Sequence, residues 1–262
     1  MTKKKEKYVP KVGITGEGED YSIYKLSMAE RITGFLIGFA AGFAAAHIMF
    51  GVIFVSAIIG IAVGFLAVPI FRKYLLNRRT RMMLLQFRDM LDSLSNSFSS
   101  GRNTSDAFSD AYQDLLLSAG AEAPITKELS IITKGLHNNY VIEDLLKDMS
   151  FRCGIDDIDS FAETFTTCNR LGGNLKKIVS DTRDIISDKI EIEMDIQTTI
   201  TASKNEINVM TVMPFLVIMM MGTMGEESIT ENSALNVIVK LIAVAMFALA
   251  YKIGQKITDI KM

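Results

Sequence analysis

Two histidines and two cysteines are all that this chain of 262 residues offers of the side chains that most often hold catalytic metals. His47 and His137 stand far apart, so there is no HExxH pair to hold a zinc ion on one helical face. Cys153 and Cys168 match neither a CxxC redox pair nor the spacing of a zinc site. They read as buried structural thiols, which a reducing cytosol keeps unpaired. No GxxxxGK run is present, which excludes a nucleotide cradled by that loop. Gly13, Gly16 and Gly18 follow no strand and open no helix, and are expected in a flexible amino-terminal segment. No catalytic residue, cofactor or metal is expected, and the chain does not read as an enzyme.

Apolar sequence is abundant instead. The composition is 49% hydrophobic and 22% charged, and the apolar excess falls in two blocks, residues 32–71 and 209–254. An apolar helix of about 40 residues would be roughly 60 Å long, twice the ~30 Å hydrocarbon core of a bilayer. Each block therefore reads as a pair of spans, the first folding back near residues 47–51. The expected organisation is an amino-terminal segment 1–30, a hairpin of two spans 31–71, a helical domain 72–208, a second hairpin 209–254 and a tail 255–262. The first span is too long, and too closely followed by another, to be a cleaved signal peptide.

Charge orients these blocks. Lys3, Lys4, Lys5, Lys7, Lys11, Lys25 and Arg31 precede the first span, and Arg72, Lys73, Arg78, Arg79 and Arg81 follow the second. Lys and Arg mark the cytoplasmic side. The loop between the third and fourth spans carries Glu226, Glu227 and Glu231, and the tail carries Lys252, Lys256 and Lys261. Both termini and the helical domain are thus expected in the cytoplasm, with the hairpin tips at 47–51 and 225–233 outward. Basic residues beside the spans suit anionic membrane lipids. Their absence as a cluster on the helical domain argues against nucleic acid.

The domain 72–208 is patterned as helices throughout. Met83, Phe87, Met90, Leu91, Leu94 and Phe98 share one helical face, which stops at Ser100 and Gly101. A second helix is expected from residues 103–105 with Ala107, Phe108, Ala111, Tyr112 and Leu115 inward. Pro124 suits the first turn of a third, with Leu129, Ile132 and Leu136. Val141, Leu145, Leu146 and Met149 form a fourth face. Gly154 then ends that helix, and Asp156 and Asp157 are expected to cap a fifth carrying Phe161, Phe165 and Cys168. The acids Asp156, Asp157, Asp159 and Glu163 lack the spacing of a calcium loop and are accounted for by capping and the helix dipole. Gly172, Gly173 and Asn174 form the next break, with Asn174 capping a sixth helix that runs on through Ile178, Val179, Thr182 and Ile186 into the third span.

Within the spans, Gly34, Gly38, Gly42 and Ala46 recur every fourth residue, as do Ser56, Gly60 and Gly64. Small residues at this spacing let helix backbones approach closely, so the two ridges are expected to pack together. Lys240, inside the fourth span, reads as snorkelling to the outer surface.

Several short motifs carry a resemblance. Gln86, Phe87, Arg88, Asp89, Met90 and Leu91, then Phe98, Ser99, Ser100 and Gly101, then Ser105, Asp106, Ala107 and Phe108, and finally Arg170, Leu171, Gly172, Gly173, Asn174 and Leu175 stand in the order found in the type II secretion system F domain family. The chain resembles its Tad (Flp pilus) branch, nearer the TadB type of platform protein than the TadC type. The resemblance implies an all-α fold with a six-helix cytoplasmic bundle between two transmembrane hairpins. It also implies a non-enzymatic platform of a pilus or type II secretion machine. The implied partners are a cytoplasmic ATPase, pilin subunits and a second platform protein, in an oligomer. A membrane-anchored helical adaptor is the alternative, and a transporter a further one, which would need polar partners across the spans.

Overall fold

The computed structural model describes residues 13–16, 18–24 and 26–223, and beyond these only Met246, Leu249 and Ile253. Among the described residues every regular element is a helix: α1 (Met28–Phe50), α2 (Ile53–Ser99), α3 (Thr104–Ser118), α4 (Pro124–His137), α5 (Ile142–Cys153), α6 (Asp156–Leu171) and α7 (Leu175–Thr223). The chain divides into two compact units, one of Met1–Tyr24 with Leu75–Glu191, the other of Lys25–Tyr74 with Ile192–Met262. The loop expected at 225–233, Lys240, the fourth span and the tail lie outside the described residues.

Local chemistry sets the helix boundaries. Gly51, Gly101, Gly154 and Gly172 follow helix ends with positive φ, the left-handed conformation that only glycine adopts without strain. At the end of α2, the Gly101 N–H donates to the Phe98 carbonyl and the Arg102 N–H to that of Ser97. Asn103 caps α3 by accepting from the Asp106 N–H at 2.8 Å, and Pro124 occupies the first turn of α4. Two details differ from the sequence reading. Ile142, and not Val141, faces the interior, because Val141 is the residue just outside α5 in extended backbone. The cap of α6 is Ile155, whose side chain makes no capping bond; Asp156 and Asp157 lie in the first turn, at the positive end of the helix dipole.

The first unit is organised around aromatic rings. Phe87 of α2 meets Phe161 of α6 edge-on with centroids 5.4 Å apart, Phe108 of α3 meets Phe165 at 6.1 Å, and Phe161 and Phe165 pack at 5.6 Å. Such pairs add about 0.5–1.5 kcal/mol each beyond their buried area. Met90, Leu91 and Leu94 from α2, Leu129 from α4, Met149 from α5 and Val179 from α7 complete the core. Short turns make α3, α4, α5 and α6 sequential neighbours. Cys153 and Cys168 are buried and form no disulfide.

In the second unit, α1 and α2 are long and apolar enough to cross a membrane. Gly51, between them, carries the chain back on itself with φ 64°. The small residues lie where the two helices touch. A methyl placed on Gly38 would collide with Ala67 and stand 3.1 Å from the Gly64 Cα. One on Gly60 would stand 3.1 Å from the Phe39 ring, and one on Gly64 2.7 Å from the Phe35 ring. Gly34 faces Phe71, Gly42 faces Val63, and Ser56, fully buried, returns its hydroxyl to the Val52 carbonyl at 2.8 Å. Replacing Gly38 with Leu should therefore cost about 1–3 kcal/mol through overpacking. Thermal unfolding of the full-length protein in detergent should show a lowered midpoint, while Ile37→Leu, at an exposed position of the same helix, should leave it unchanged.

Candidate functional site

A single concentration of buried charge stands out among the described residues. Asp148 and Arg152 lie one turn apart on α5, and Glu128 faces them from α4. The Arg152 Nη1 donates to Glu128 Oε1 at 2.6 Å, and its Nε donates to Asp148 Oδ2 at 3.0 Å. Arg152 is 1% exposed and Glu128 not at all. The fork of the guanidinium thus spans two carboxylates, the arrangement in which arginine is used most effectively away from water.

The cover over this cluster comes from the amino-terminal segment. The Ile14 N–H donates to Asp148 Oδ1 at 2.9 Å and the Tyr21 N–H to the Arg152 carbonyl at 3.1 Å. The Tyr21 side chain is 4% exposed. Gly18, with φ 118°, lies flat on the guanidinium; a methyl there would stand 2.7 Å from Arg152 Cζ and closer still to Nη1. Glu19 reaches Arg79 at 2.5 Å and Lys127 at 3.7 Å, and the Arg79 guanidinium stacks over the Tyr21 ring at 4.6 Å. Residues 13–24 are thus fastened to the helices, where the sequence reading expected a flexible tail. Glycine marks the close approach of backbone to Arg152.

Burial dominates the electrostatics. It pushes the Glu128 carboxyl above its ordinary range, and the attraction of Arg152 recovers only part of that. For Arg152 burial pulls downward, but Glu128 and Asp148 together outweigh it and keep the guanidinium charged. The Tyr21 phenol is pushed far upward, first by burial and then by the neighbouring Glu128 carboxyl. Glu128 Oε2 and Thr15 Oγ1 are buried without hydrogen-bond partners. The cluster has no nucleophile beside a base, and its chemistry is that of holding a segment in place.

The turn expected to matter, at Gly172, Gly173 and Asn174, lies elsewhere in the first unit. Asn174 accepts the Lys177 N–H at 3.1 Å and so starts α7. The left-handed residue is Gly172, with φ 68°. Gly173 is required for a different reason: a methyl on it would stand 2.6 Å from the Cys168 sulfur. Neither this turn nor Gly101 contacts the buried charges. Of the acids once weighed as a metal cluster, Asp157 pairs with Lys189 at 2.7 Å and Asp159 accepts from the Ser150 hydroxyl at 2.7 Å.

Tyr21, Glu128, Asp148 and Arg152 escaped the sequence reading. The one usable signal was an arginine set beside Met149 and Cys153 on the apolar face of α5. No protein-family model, curated protein or solved structure matches the chain.

Arg152→Met keeps the volume of the side chain and strands two carboxylates, which should cost about 3–5 kcal/mol. The loss should depend on pH. A carboxyl raised in the folded state favours folding below its ordinary value and loses that advantage as pH rises through its folded pKa. Without the guanidinium Glu128 rises further, so the deficit relative to wild type should widen as pH rises from the ordinary carboxylate range through neutrality. Thermal unfolding followed by circular dichroism across that range checks it; a deficit independent of pH would show that the cluster contributes packing alone.

Proposed function

We propose that this protein is an inner-membrane assembly platform of a Tad or type IV-like pilus, or of a type II secretion machine. In this reading it crosses the membrane four times, with both termini and a six-helix domain in the cytoplasm. It performs no catalysis, and couples a cytoplasmic ATPase to the extraction and assembly of pilin subunits. The observation that carries the reading is α2, one unbroken helix of 47 residues. Its first part is apolar and largely uncovered by protein, and its last part supplies Phe87, Met90, Leu91 and Leu94 to an all-helical core. A platform that transmits motion between an ATPase and the membrane requires a stiff connection of that kind. Helix α7 adds support, since it too runs unbroken for 49 residues from the helical core into apolar sequence.

The motif residues support the reading through their roles. Phe87, Met90 and Leu91 are fully buried. Gln86 accepts the Ile125 N–H at 3.4 Å at the start of α4, and Gly101, Gly172 and Asn174 make the turns. Arg88, Asp89 and Arg170 are left at or near the surface, where a partner can reach them.

Two measurements test the proposal. Purification of the tagged full-length protein from its own cells in mild detergent should bring with it a secretion ATPase and a second platform protein, and deletion of the gene should abolish surface pili or secretion. Membrane-impermeant thiol labelling of intact cells should modify a cysteine placed at Ser228 and spare one placed at Ser118. Normal piliation and secretion after deletion, or labelling at Ser118 with protection at Ser228, would contradict it.

A further inference from the structure

The described residues between 13 and 24 lie over buried charge. Their hold includes two backbone hydrogen bonds, from Ile14 to Asp148 and from Tyr21 to the Arg152 carbonyl, the buried Tyr21 side chain beside Glu128, and contacts of Glu19 with Arg79 and Lys127. Closure leaves two oxygens, Thr15 Oγ1 and Glu128 Oε2, buried without partners; water would satisfy both on opening. The segment is also undercut. A cavity of about 430 Å³ lies between Gly18, Glu19 and Tyr21 on one side and Thr126, Lys127 and Ser130 of α4 on the other. Cys153, buried, follows Arg152, the residue whose carbonyl accepts the Tyr21 N–H.

We infer that residues 13–24 form a releasable clasp over the Glu128–Arg152–Asp148 cluster, which opens as a unit while the helices stay folded and uncovers the ionic cluster and Cys153. The clasp does not depend on what the protein assembles.

Thiol modification read by peptide mass spectrometry tests this in the full-length protein in detergent, with Cys168 as the internal control. In the wild-type protein Cys153 should react at a rate insensitive to low urea, since local opening exposes little surface. Gly18→Ala, which sets a methyl against the guanidinium at a backbone angle that disfavours it, should speed Cys153 modification about tenfold or more and leave the rate at Cys168 unchanged. Tyr21→Ala, which removes the cover without straining the backbone, should do the same. The clasp is overturned if Cys153 reacts in the wild type with the steep urea dependence of global unfolding. It is equally overturned if both variants leave its rate unchanged, or accelerate Cys153 and Cys168 together with a fall in the midpoint.

Discussion

The continuity of α2 is the constraint on which the rest of the structure depends. A single helix of 47 residues, with Pro69 inside it, has to satisfy two different environments. Around residues 83–94 its apolar face is entirely covered by protein. Around residues 53–70 only the side carrying the small residues is covered, and Ile53, Phe54, Ile58, Phe65, Leu66 and Ile70 are exposed. Burying six such side chains is worth roughly 9–18 kcal/mol, as much as the whole stability of an ordinary domain. Water would forfeit that amount; hydrocarbon would not. Glycines form the contact surface of α1 and α2; for helices in a membrane, close backbone approach of this kind would replace the hydrophobic effect as the source of attraction.

The first unit solves a different problem. Its aromatic core is conventional, but α5 is so enclosed that nearly every side of it faces protein, and the charged pair Asp148 and Arg152 is carried inward with the rest. Glu128 and the amino-terminal segment complete the cluster. Buried ion pairs are weak contributors to net stability and strong specifiers of arrangement, because alternatives that separate the charges are penalised heavily. The cluster thereby selects one placement for residues 13–24, at the expense of two unsatisfied oxygens.

What was legible in the sequence follows from how local the cause is. The ends of α1, α2, α5 and α6 could be read at Gly51, Gly101, Gly154 and Gly172 because a positive φ is a property of one residue. The caps at Asn103 and Asn174 span three residues and were equally plain. Adjacent glycines blurred the assignment at 172 and 173, since either can follow a helix end and only the Cys168 contact separates them. The ionic cluster was hidden because Asp148 and Arg152, four apart, have the spacing of an ordinary exposed pair. Its third member is distant in sequence, and the covering segment has no periodicity. Contacts of this kind are made by the tertiary fold and leave no pattern along the chain.

The central proposal is that one helix, apolar enough to cross a membrane, passes from lipid into a protein core. Spin labels placed singly at Phe65 and at Leu117, with both native cysteines replaced, test it in the full-length protein reconstituted in bilayers. Both positions are well exposed, at 69% and 87%. Power saturation should show the label at position 65 relaxed by oxygen and shielded from a water-soluble nickel chelate, and the label at position 117 the reverse. Equal access of the chelate to both would place the first part of α2 in water and contradict the account.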